Sequence, residues 1–303
     1  MNVTLTGATG LLGTAIVNRL LERGDAVTVL SRDPERARVA LGDVEAHAWQ
    51  PLQEPAPAAA LSGRDAVVHL AGETVAQRWT DESRRAIVDS REIGTRNLVA
   101  GLGAAEPRPA ALISASAVGY YGPRGDEPVT EDAGPGHDFL AGVCVAWERE
   151  AARAADHGLR VAMLRTGVAL DQQGGALAKM LPFFRLGIGG PVAGGRQYMP
   201  WIHADDIVGL YLAALDDSSW EGAVNACAPE PVTNRDFSRA LGRALHRPAF
   251  APVPGLAVRA LYGDMAEIVT TGQRAVPRRA LERGYAFRHT DLEQALRDAV
   301  GRP

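Results

Sequence analysis

Cysteine and lysine are both scarce in this chain of 303 residues. The two cysteines, Cys144 and Cys227, have neither the spacing of a metal site nor that of a disulfide framework. We therefore expect a reduced, cytoplasmic protein that has no metal site. Of the 32 basic residues only Lys179 is a lysine, so any chemistry that requires a lysine has a single candidate.

Long apolar runs and a strong net charge are also absent. The longest apolar stretches, such as residues 159–164, are far too short to span a bilayer, and the chain opens on a strand pattern, which predicts no signal peptide. The net charge of -4 gives no reason to expect nucleic acid as a partner. We expect a small-molecule substrate, no nucleic acid and no membrane, and a homodimer is one of the assemblies that the sequence leaves open.

Strand-like and helix-like segments alternate through the first two-thirds of the chain. The predicted strands are residues 3–6, 26–30, 45–49, 66–70, 111–115 and 160–166. Helical patterns separate them, including one that starts at Thr80 and one over 138–156. This alternation predicts an α/β fold, a doubly wound parallel sheet of the Rossmann type with helices on both faces.

Three glycines follow the first strand in the segment VTLTGATGLLGTAIV. Gly7 permits a tight turn, Gly10 lets a diphosphate approach the backbone, and Gly13 lets the helix pack closely on the sheet. The helix N-terminus then presents N–H groups and a partial positive charge to the phosphates. The predicted dinucleotide-binding residues of this turn are Gly7, Thr9, Gly10, Leu11, Leu12 and Gly13.

The residues at the end of the second strand indicate whether the dinucleotide is NAD or NADP. A carboxylate there would bind the ribose 2′-hydroxyl of NAD, whereas this chain has Ser31 and Arg32, followed by Arg36. An arginine can bind a 2′-phosphate through charge-assisted hydrogen bonds, and a carboxylate would repel it. The sequence therefore predicts NADP(H). In the alternative, Arg32 is a solvated loop charge and Asp33 binds the ribose.

Residues 1–170 are thus predicted to form an NADP-binding Rossmann domain, to which residues 201–230 return. After residue 170 the pattern loosens, with a glycine-rich loop and short elements separated by proline and arginine. Residues 171–200 and 231–303 are predicted to form a smaller C-terminal α+β lobe over the strand ends, where ligands of open α/β sheets bind.

The glycine spacing, HLAGE (69–73), ISASAVGYYG (113–122) and WIHADDIV (201–208) resemble the extended short-chain dehydrogenase/reductases, a group that includes the nucleotide-sugar epimerases. The likeness is closer to an atypical branch called the epimerase family, sometimes "cell-division inhibitor-like". Segments 138–148, 181–206 and 272–287 are similar to that branch, so the likeness runs over nearly the whole chain. The resemblance implies further cofactor contacts at Leu70, Ala71, Gly72, Glu73, Ser114, Thr166, Gly167 and Val168.

The chain departs from this group at the catalytic pair. Typical members carry Tyr-x-x-x-Lys on the helix after strand five, where the lysine and the ribose lower the pKa of the tyrosine. The tyrosine exchanges a proton with the substrate oxygen while the nicotinamide exchanges a hydride. Here Leu140 and Cys144 stand at the two positions, and no tyrosine in the chain is followed by lysine four residues later.

The remaining catalytic candidates are Ser116, which matches the family serine, and Tyr120 and Tyr121 in the loop after strand five. Each has a structural alternative: the serine as a polar strand end, the tyrosines as packing residues of a lobe interface. Arg91, on the long helix where the group usually has an asparagine, either faces the site or is solvated. His203 with the two aspartates that follow it is interpreted as a charged helix N-terminus rather than a metal site.

Two functions are consistent with these observations. The first is an NADP(H)-dependent oxidoreductase or epimerase that acts on a small carbonyl or alcohol, or on a nucleotide-sugar-like substrate. The second is a redox sensor that binds NADP(H) without turnover, which the missing catalytic pair would explain.

Overall fold

The computed structural model describes residues 1–301. The strands are Asn2–Thr6 (β1), Ala26–Ser31 (β2), Glu45–Ala48 (β3), Ala66–His69 (β4), Ala111–Ala117 (β5), Pro128–Val129 (β6), Arg160–Thr166 (β7), Val168–Leu170 (β8), Tyr198–Met199 (β9), Trp201–His203 (β10), Gly222–Ala226 (β11), Val232–Thr233 (β12) and Arg274–Ala275 (β13). The α-helices are Leu11–Glu22 (α1), Pro34–Leu41 (α2), Asp81–Ala104 (α3), Phe139–Ala152 (α4), Gly175–Arg185 (α5), Ala204–Asp216 (α6), Asn234–Ala244 (α7), Gly255–Tyr262 (α8), Glu267–Thr270 (α9), Arg278–Glu282 (α10) and Leu292–Val300 (α11). None of the helices among these residues combines the length and the apolar character that a membrane crossing requires.

Seven strands form one parallel sheet in the order β11-β7-β5-β4-β1-β2-β3. The chain adds β2 and β3 on one side of β1, then crosses over and adds β4, β5, β7 and β11 on the other side. The direction of winding therefore reverses between β1 and β4, and ligands of open α/β sheets bind at such a point, beyond the carboxyl ends of the strands. Thr6 pairs in register with both Leu30 and His69, so β1, β2 and β4 end at nearly the same level. The predicted fold class is confirmed.

Helices cover both faces of the sheet, because strand residues point alternately to opposite sides. On one face α1 and α6 pack against Val3, Leu5 and Val224. On the other face α3 and the C-terminal end of α4 pack against Val67 and Leu112. The carboxyl edge between these two layers remains available for a ligand.

Capping residues fix where α3 and α4 begin. The Thr80 hydroxyl accepts a hydrogen bond from the Ser83 amide, and the Ser83 hydroxyl accepts one from the Thr80 amide. Asp138 accepts from two amides in the first turn of α4. The helix predicted over 138–156 is shorter as an α-helix, since it ends at Ala152 and continues as a 3-10 turn over Arg153–His157.

A separate hydrophobic cluster holds α5, α7 and α11 together, with Phe184, Phe237 and Leu296 at its centre. Residues 201–230 contribute α6 and β11 to the main sheet and its covering layer. Some residues after 230 also pack in the layer that covers the main sheet, because Ala280 and Tyr285 belong to the same hydrophobic cluster as α6. The cluster of the C-terminal lobe therefore contains only part of segment 231–303, and the predicted domain bounds stay a prediction.

Candidate functional site

The glycine turn after β1 is packed so closely that side chains are excluded at two of its three positions. Gly7 has a φ of +68°, and a Cβ there would lie 2.8 Å from the Ala71 amide nitrogen. A Cβ on Gly13 would lie 2.3 Å from the Gly7 carbonyl oxygen. Gly10 is exposed and donates its amide to that same carbonyl oxygen at 3.1 Å. The turn thus presents bare backbone at the switch point of the sheet.

The N-terminus of α1 lies beside this bare backbone. Its first turn contains no acidic residue, and no side chain caps it. The first N–H groups of an α-helix have no acceptor within the helix, so those of Leu11, Leu12 and Gly13 can donate to an anion. Thr9 and Gly10 are exposed, which leaves the approach open. A diphosphate fits this arrangement, because the helix dipole adds to the hydrogen bonds.

The end of β2 leaves one arginine free. The Ser31 hydroxyl donates to the Asp33 carbonyl oxygen at 3.0 Å and accepts from the Asp33 amide. The Asp33 carboxylate caps α2 by accepting from the Arg36 amide at 3.0 Å. Arg32 is exposed, and its guanidinium has no hydrogen bond or ion pair with any other part of residues 1–301. Because Asp33 is already a helix cap, Arg32 is the better candidate for contact with the adenosine ribose.

A buried histidine joins the ends of β1 and β4. His69 is fully buried, with Nδ1 hydrogen-bonded to the Thr6 hydroxyl at 2.7 Å and Nε2 to the Thr95 hydroxyl at 2.9 Å. The Thr6 hydroxyl also accepts from the amides of Leu70 and Ala71, both at 3.2 Å. Burial, and secondarily the charge of Arg91, lowers the pKa of His69 to about 3. The imidazole is therefore neutral and holds the β4 loop against the glycine turn.

Arg91 packs against the loop that follows β4. Its Nη1 donates to the Glu73 carbonyl oxygen at 2.9 Å, and the Glu73 amide donates to the Ser90 hydroxyl. A Cβ on Gly72 would lie 3.1 Å from the Arg91 Cζ. The guanidinium also lies 4.9 Å from the centre of the Trp147 ring. Arg91 is therefore packed between the loop after β4 and Trp147, and its role at the cofactor site stays a prediction.

Ser116 belongs to a buried ionic network at the end of β5. Its hydroxyl donates to Glu148 Oε1 at 2.6 Å. Glu148 in turn accepts two hydrogen bonds from Arg165, from Nε at 2.8 Å and from Nη2 at 2.7 Å. Burial lowers the pKa of Arg165, but the hydrogen bonds and charge of Glu148 raise it above its ordinary value. The serine proton is thus directed at a carboxylate, and the oxygen remains able to accept a hydrogen bond.

The two tyrosines after β5 have different surroundings. Tyr121 is fully buried, donates to Asn225 Oδ1 at 2.7 Å and accepts from Arg165 Nη1 at 2.9 Å. Burial, opposed by Arg165, raises the pKa of Tyr121 to about 12. Tyr120 is half-buried, its ring centre lies 3.5 Å from the Arg165 Cζ, and its hydroxyl has no partner within residues 1–301. Of the two predicted phenols, only that of Tyr120 is free to contact a ligand.

The positions of the missing catalytic pair lie on α4. Leu140 packs in a hydrophobic cluster with Trp79 and Val143. Cys144 is buried, and burial together with the charge of Glu148 raises the pKa of its thiol to about 12. Neither residue carries a charge or an acid/base group usable near neutral pH.

At the predicted contacts on β5 and after β7, several polar groups already have partners within the protein. Ser114 is buried, and its hydroxyl donates to the Ala115 carbonyl oxygen. The Gly167 amide donates to the Ala226 carbonyl oxygen and the Val168 amide to the Pro200 carbonyl oxygen, at 2.9 Å and 2.8 Å. A nicotinamide contact at residues 166–168 would therefore use the carbonyl oxygens or the Thr166 hydroxyl.

His203 begins α6, and its Nδ1 accepts from the Asp205 amide at 3.2 Å. The His289 ring stacks on it with centres 3.8 Å apart. Ligand atoms of His203, Asp205 and His289 lie within 4.8 Å of one another, close enough for a metal ion. Asp206 has another role, since it accepts from the amides of Arg288 and His289 at 2.8 Å and 3.0 Å. It thereby fastens the C-terminal segment to α6, and the absence of a metal stays a prediction.

Sequence reasoning did not identify Glu148, Arg165 or Gln273 as site residues. Gln273, in the C-terminal lobe, donates to the Val118 carbonyl oxygen at 2.8 Å and so fixes the loop that carries Tyr120. Only Arg165 gave a signal, as a charge within the strand pattern RVAMLRT. The strands brought the other predicted residues to one edge of the sheet.

Two family models match the chain, the "NAD dependent epimerase/dehydratase family" over residues 3–227 and a domain of unknown function, DUF1731, over residues 253–299. The chain belongs to the NAD dependent epimerase/dehydratase family. The predicted membership of the extended short-chain dehydrogenase/reductase group, in its epimerase-family branch, is confirmed.

Relatives in this family are similar over nearly their whole length. The mouse epimerase family protein SDR39U1 is 38% identical over an alignment of 305 positions that covers 99% of this chain and 100% of the relative. A chloroplastic SDR39U1 homolog from Arabidopsis thaliana is 40% identical over 299 residues, 98% of this chain and 86% of the relative. The crystal structure of human SDR39U1 (isoform 2) with NADPH has a TM-score of 0.89 and 34% identity, and the match covers 99% of both chains.

Proposed function

We propose that this epimerase-family chain binds NADP(H) and uses it as an oxidoreductase or epimerase on a small carbonyl or alcohol, which includes nucleotide-sugar-like substrates. One observation carries the proposal: bare backbone at the glycine turn lies beside an unopposed helix N-terminus, with the unpaired Arg32 at the end of the neighbouring strand. The human relative that was crystallised with NADPH supports the same cofactor.

The residues present fit a phosphorylated dinucleotide. The space that a Cβ on Gly7 or Gly13 would fill is already occupied by protein backbone, so only glycine permits this turn. The amides of α1 would hold the diphosphate, and Arg32 would hold the 2′-phosphate. When bound, NADP(H) supplies hydride exchange at its nicotinamide.

Proton transfer falls to Tyr120 in this proposal. Its hydroxyl has no partner within the described chain, and the Arg165 guanidinium packed against its ring holds the phenol in place. Ser116 has a different task, because its hydroxyl already donates to the Glu148 carboxylate. Its oxygen would accept a hydrogen bond from a substrate hydroxyl and orient it. Tyr121 and Cys144 are excluded from this step by the burial and the raised pKa of each.

The first experiment measures binding and turnover separately. Calorimetric titration with NADPH and NADH tests the cofactor, and we expect tighter binding of NADPH. NADPH oxidation at 340 nm is then followed across aldehydes, ketones and nucleotide-sugar ketones. Tyr120→Phe is expected to lower turnover about 100-fold, as for loss of a general acid, whereas Tyr285→Phe, which removes a phenol hydroxyl bonded to Asp206, is the matched control.

The outcomes separate the two functions. Binding without turnover on any carbonyl class would favour the sensor, and an unchanged rate in Tyr120→Phe would remove that residue from the mechanism. No heat with either coenzyme would contradict the cofactor itself.

A further inference from the structure

Arg91 is a positive charge enclosed at the predicted cofactor site and left without a carboxylate. The side chain is half-buried between the loop after β4 and α4. No carboxylate among residues 1–301 lies within ion-pair distance of its guanidinium. Burial lowers the pKa of Arg91. No Arg91 nitrogen is among the buried polar atoms that lack a partner, so its unused donors remain accessible to a ligand.

Most of the hydrogen-bonding capacity of Arg91 is unused. A guanidinium has five N–H donors. Within the described chain, Arg91 uses only Nη1, which donates to the carbonyl oxygens of Glu73 and Ile87 at 2.9 Å and 3.3 Å. The donors on Nε and Nη2 have no protein acceptor. Nη2 would lie 3.2 Å from a Cβ on Gly72, so it is directed at the loop after β4.

The surroundings indicate which part of a dinucleotide would meet these donors. The loop after β4 touches the glycine turn at Ala71, on the diphosphate side. Trp147, against which the guanidinium packs, is one helical turn beyond Cys144 on α4. Cys144 stands where typical members of the group have their lysine, and its thiol is neutral. Arg91 therefore lies between the diphosphate side and the position of the missing lysine.

We propose that Arg91 binds the hydroxyls of the nicotinamide-side ribose of NADP(H), and so supplies from α3 the positive charge that α4 lacks. The inference rests on the proposed function, because it assumes that the dinucleotide binds in the glycine turn. Three unused donors in a rigid fork suit neighbouring ribose oxygens. Arg91 is then a cofactor-contacting residue. It supplies a cation at the cofactor site although the usual lysine is missing.

The test compares two ligands by calorimetry. NADPH contains the nicotinamide-side ribose, and adenosine 2′,5′-bisphosphate lacks it but keeps the 2′-phosphate. Arg91→Met keeps the aliphatic packing and removes the donors. We expect it to weaken NADPH binding about tenfold or more and to change adenosine bisphosphate binding by less than about twofold.

Arg84→Met is the matched control. Arg84 is on the same helix, lies over the Trp79 and Phe139 rings, and is paired with Asp264 at 2.7 Å. Its removal should leave both affinities unchanged. A second variant, Gly72→Ala, keeps Arg91 but places a Cβ 3.1 Å from its Cζ, so the guanidinium must shift slightly. It should show a smaller loss with the same selectivity, which keeps the test if Arg91→Met does not fold.

Each outcome has one meaning. Selective weakening of NADPH supports the proposal, because it places the contact of Arg91 beyond the adenosine half of the cofactor. Equal weakening of both ligands means that Arg91 only supports the loop, and no weakening means that it contacts neither; both results overturn the inference while the proposed function stands. If the wild-type protein binds neither ligand, the proposed function fails, and this inference fails with it.

Discussion

Arg32→Ala should change the selectivity of this protein between NADPH and NADH. The guanidinium is exposed and has no ion pair within residues 1–301, so contact with a phosphate breaks no existing interaction. Asp33, the nearest carboxylate along the chain, is held at the N-terminus of α2. The full charge of Arg32 is therefore available to the ligand.

The expected change in NADPH affinity follows from the charges of the 2′-phosphate and of Arg32. A 2′-phosphate carries nearly two negative charges at neutral pH, and a hydrogen bond to a charged group contributes about 1.5–3 kcal/mol. Loss of Arg32 should therefore raise the Kd for NADPH about 10- to 150-fold. The Kd for NADH, which lacks this phosphate, should change by less than about twofold.

The assay is titration of each coenzyme into wild-type protein and variant at two salt concentrations. The NADPH affinity of the variant should also depend less on salt, because one screened charge contact is lost. Arg38→Ala is the control, since that exposed arginine already pairs with Glu35 and with the Ala46 carbonyl oxygen. An unchanged NADPH/NADH ratio in Arg32→Ala would refute the reasoning.

Three further predictions concern stability and reactivity. Glu148→Gln and Arg165→Met should each lower the free energy of unfolding by about 3–5 kcal/mol, because each single change leaves a buried charge unpaired. The double variant should lose less than the sum of the two. Urea denaturation measures these losses, and additive losses would contradict the pairing. The pKa of His69 is about 3 in the folded protein against an ordinary value of 6.5, so its stabilising contribution is complete above pH 6.5 and is lost as the pH falls toward 3. Its loss should cost about 1.4 kcal/mol per pH unit, and a His69→Asn variant should lose stability less steeply over that range. Burial raises the pKa of Cys144 to about 12 and that of Cys227 well above its ordinary value, so an aromatic disulfide reagent at pH 8 should label the unfolded chain rapidly and the native protein hardly at all.

The cofactor turn could be predicted from the sequence because its constraints are local. Gly7, Gly10 and Gly13 lie within one strand–turn–helix unit, and the contacts that exclude a Cβ from Gly13 come from the turn itself. The start of α3 was predictable for the same reason, since the capping box involves only Thr80 and Ser83. The parallel sheet followed from the alternation of strands and helices.

The ionic network could not be predicted, because its members are distant in sequence. Ser116, Glu148 and Arg165 lie on β5, α4 and β7, and meet only when the crossover helix packs on the sheet. A charge within the buried strand β7 indicates that some partner exists, since a buried unpaired charge is unfavourable. It does not indicate which of the many carboxylates in the chain is that partner.

The two arginines of the cleft show why burial alone does not assign a role. Arg165 donates to two oxygens of Glu148, to the Tyr121 hydroxyl and to the Glu131 carbonyl oxygen, so four of its five donors are used and its charge is neutralised by Glu148. Arg165 therefore joins the strands to the helix, and it has only one donor left for a ligand. Arg91 is nearby, uses a single nitrogen and has no counter-charge among the described residues. A network that is complete within the protein therefore indicates a structural role, whereas a half-buried arginine whose remaining donors are unused can still bind a ligand.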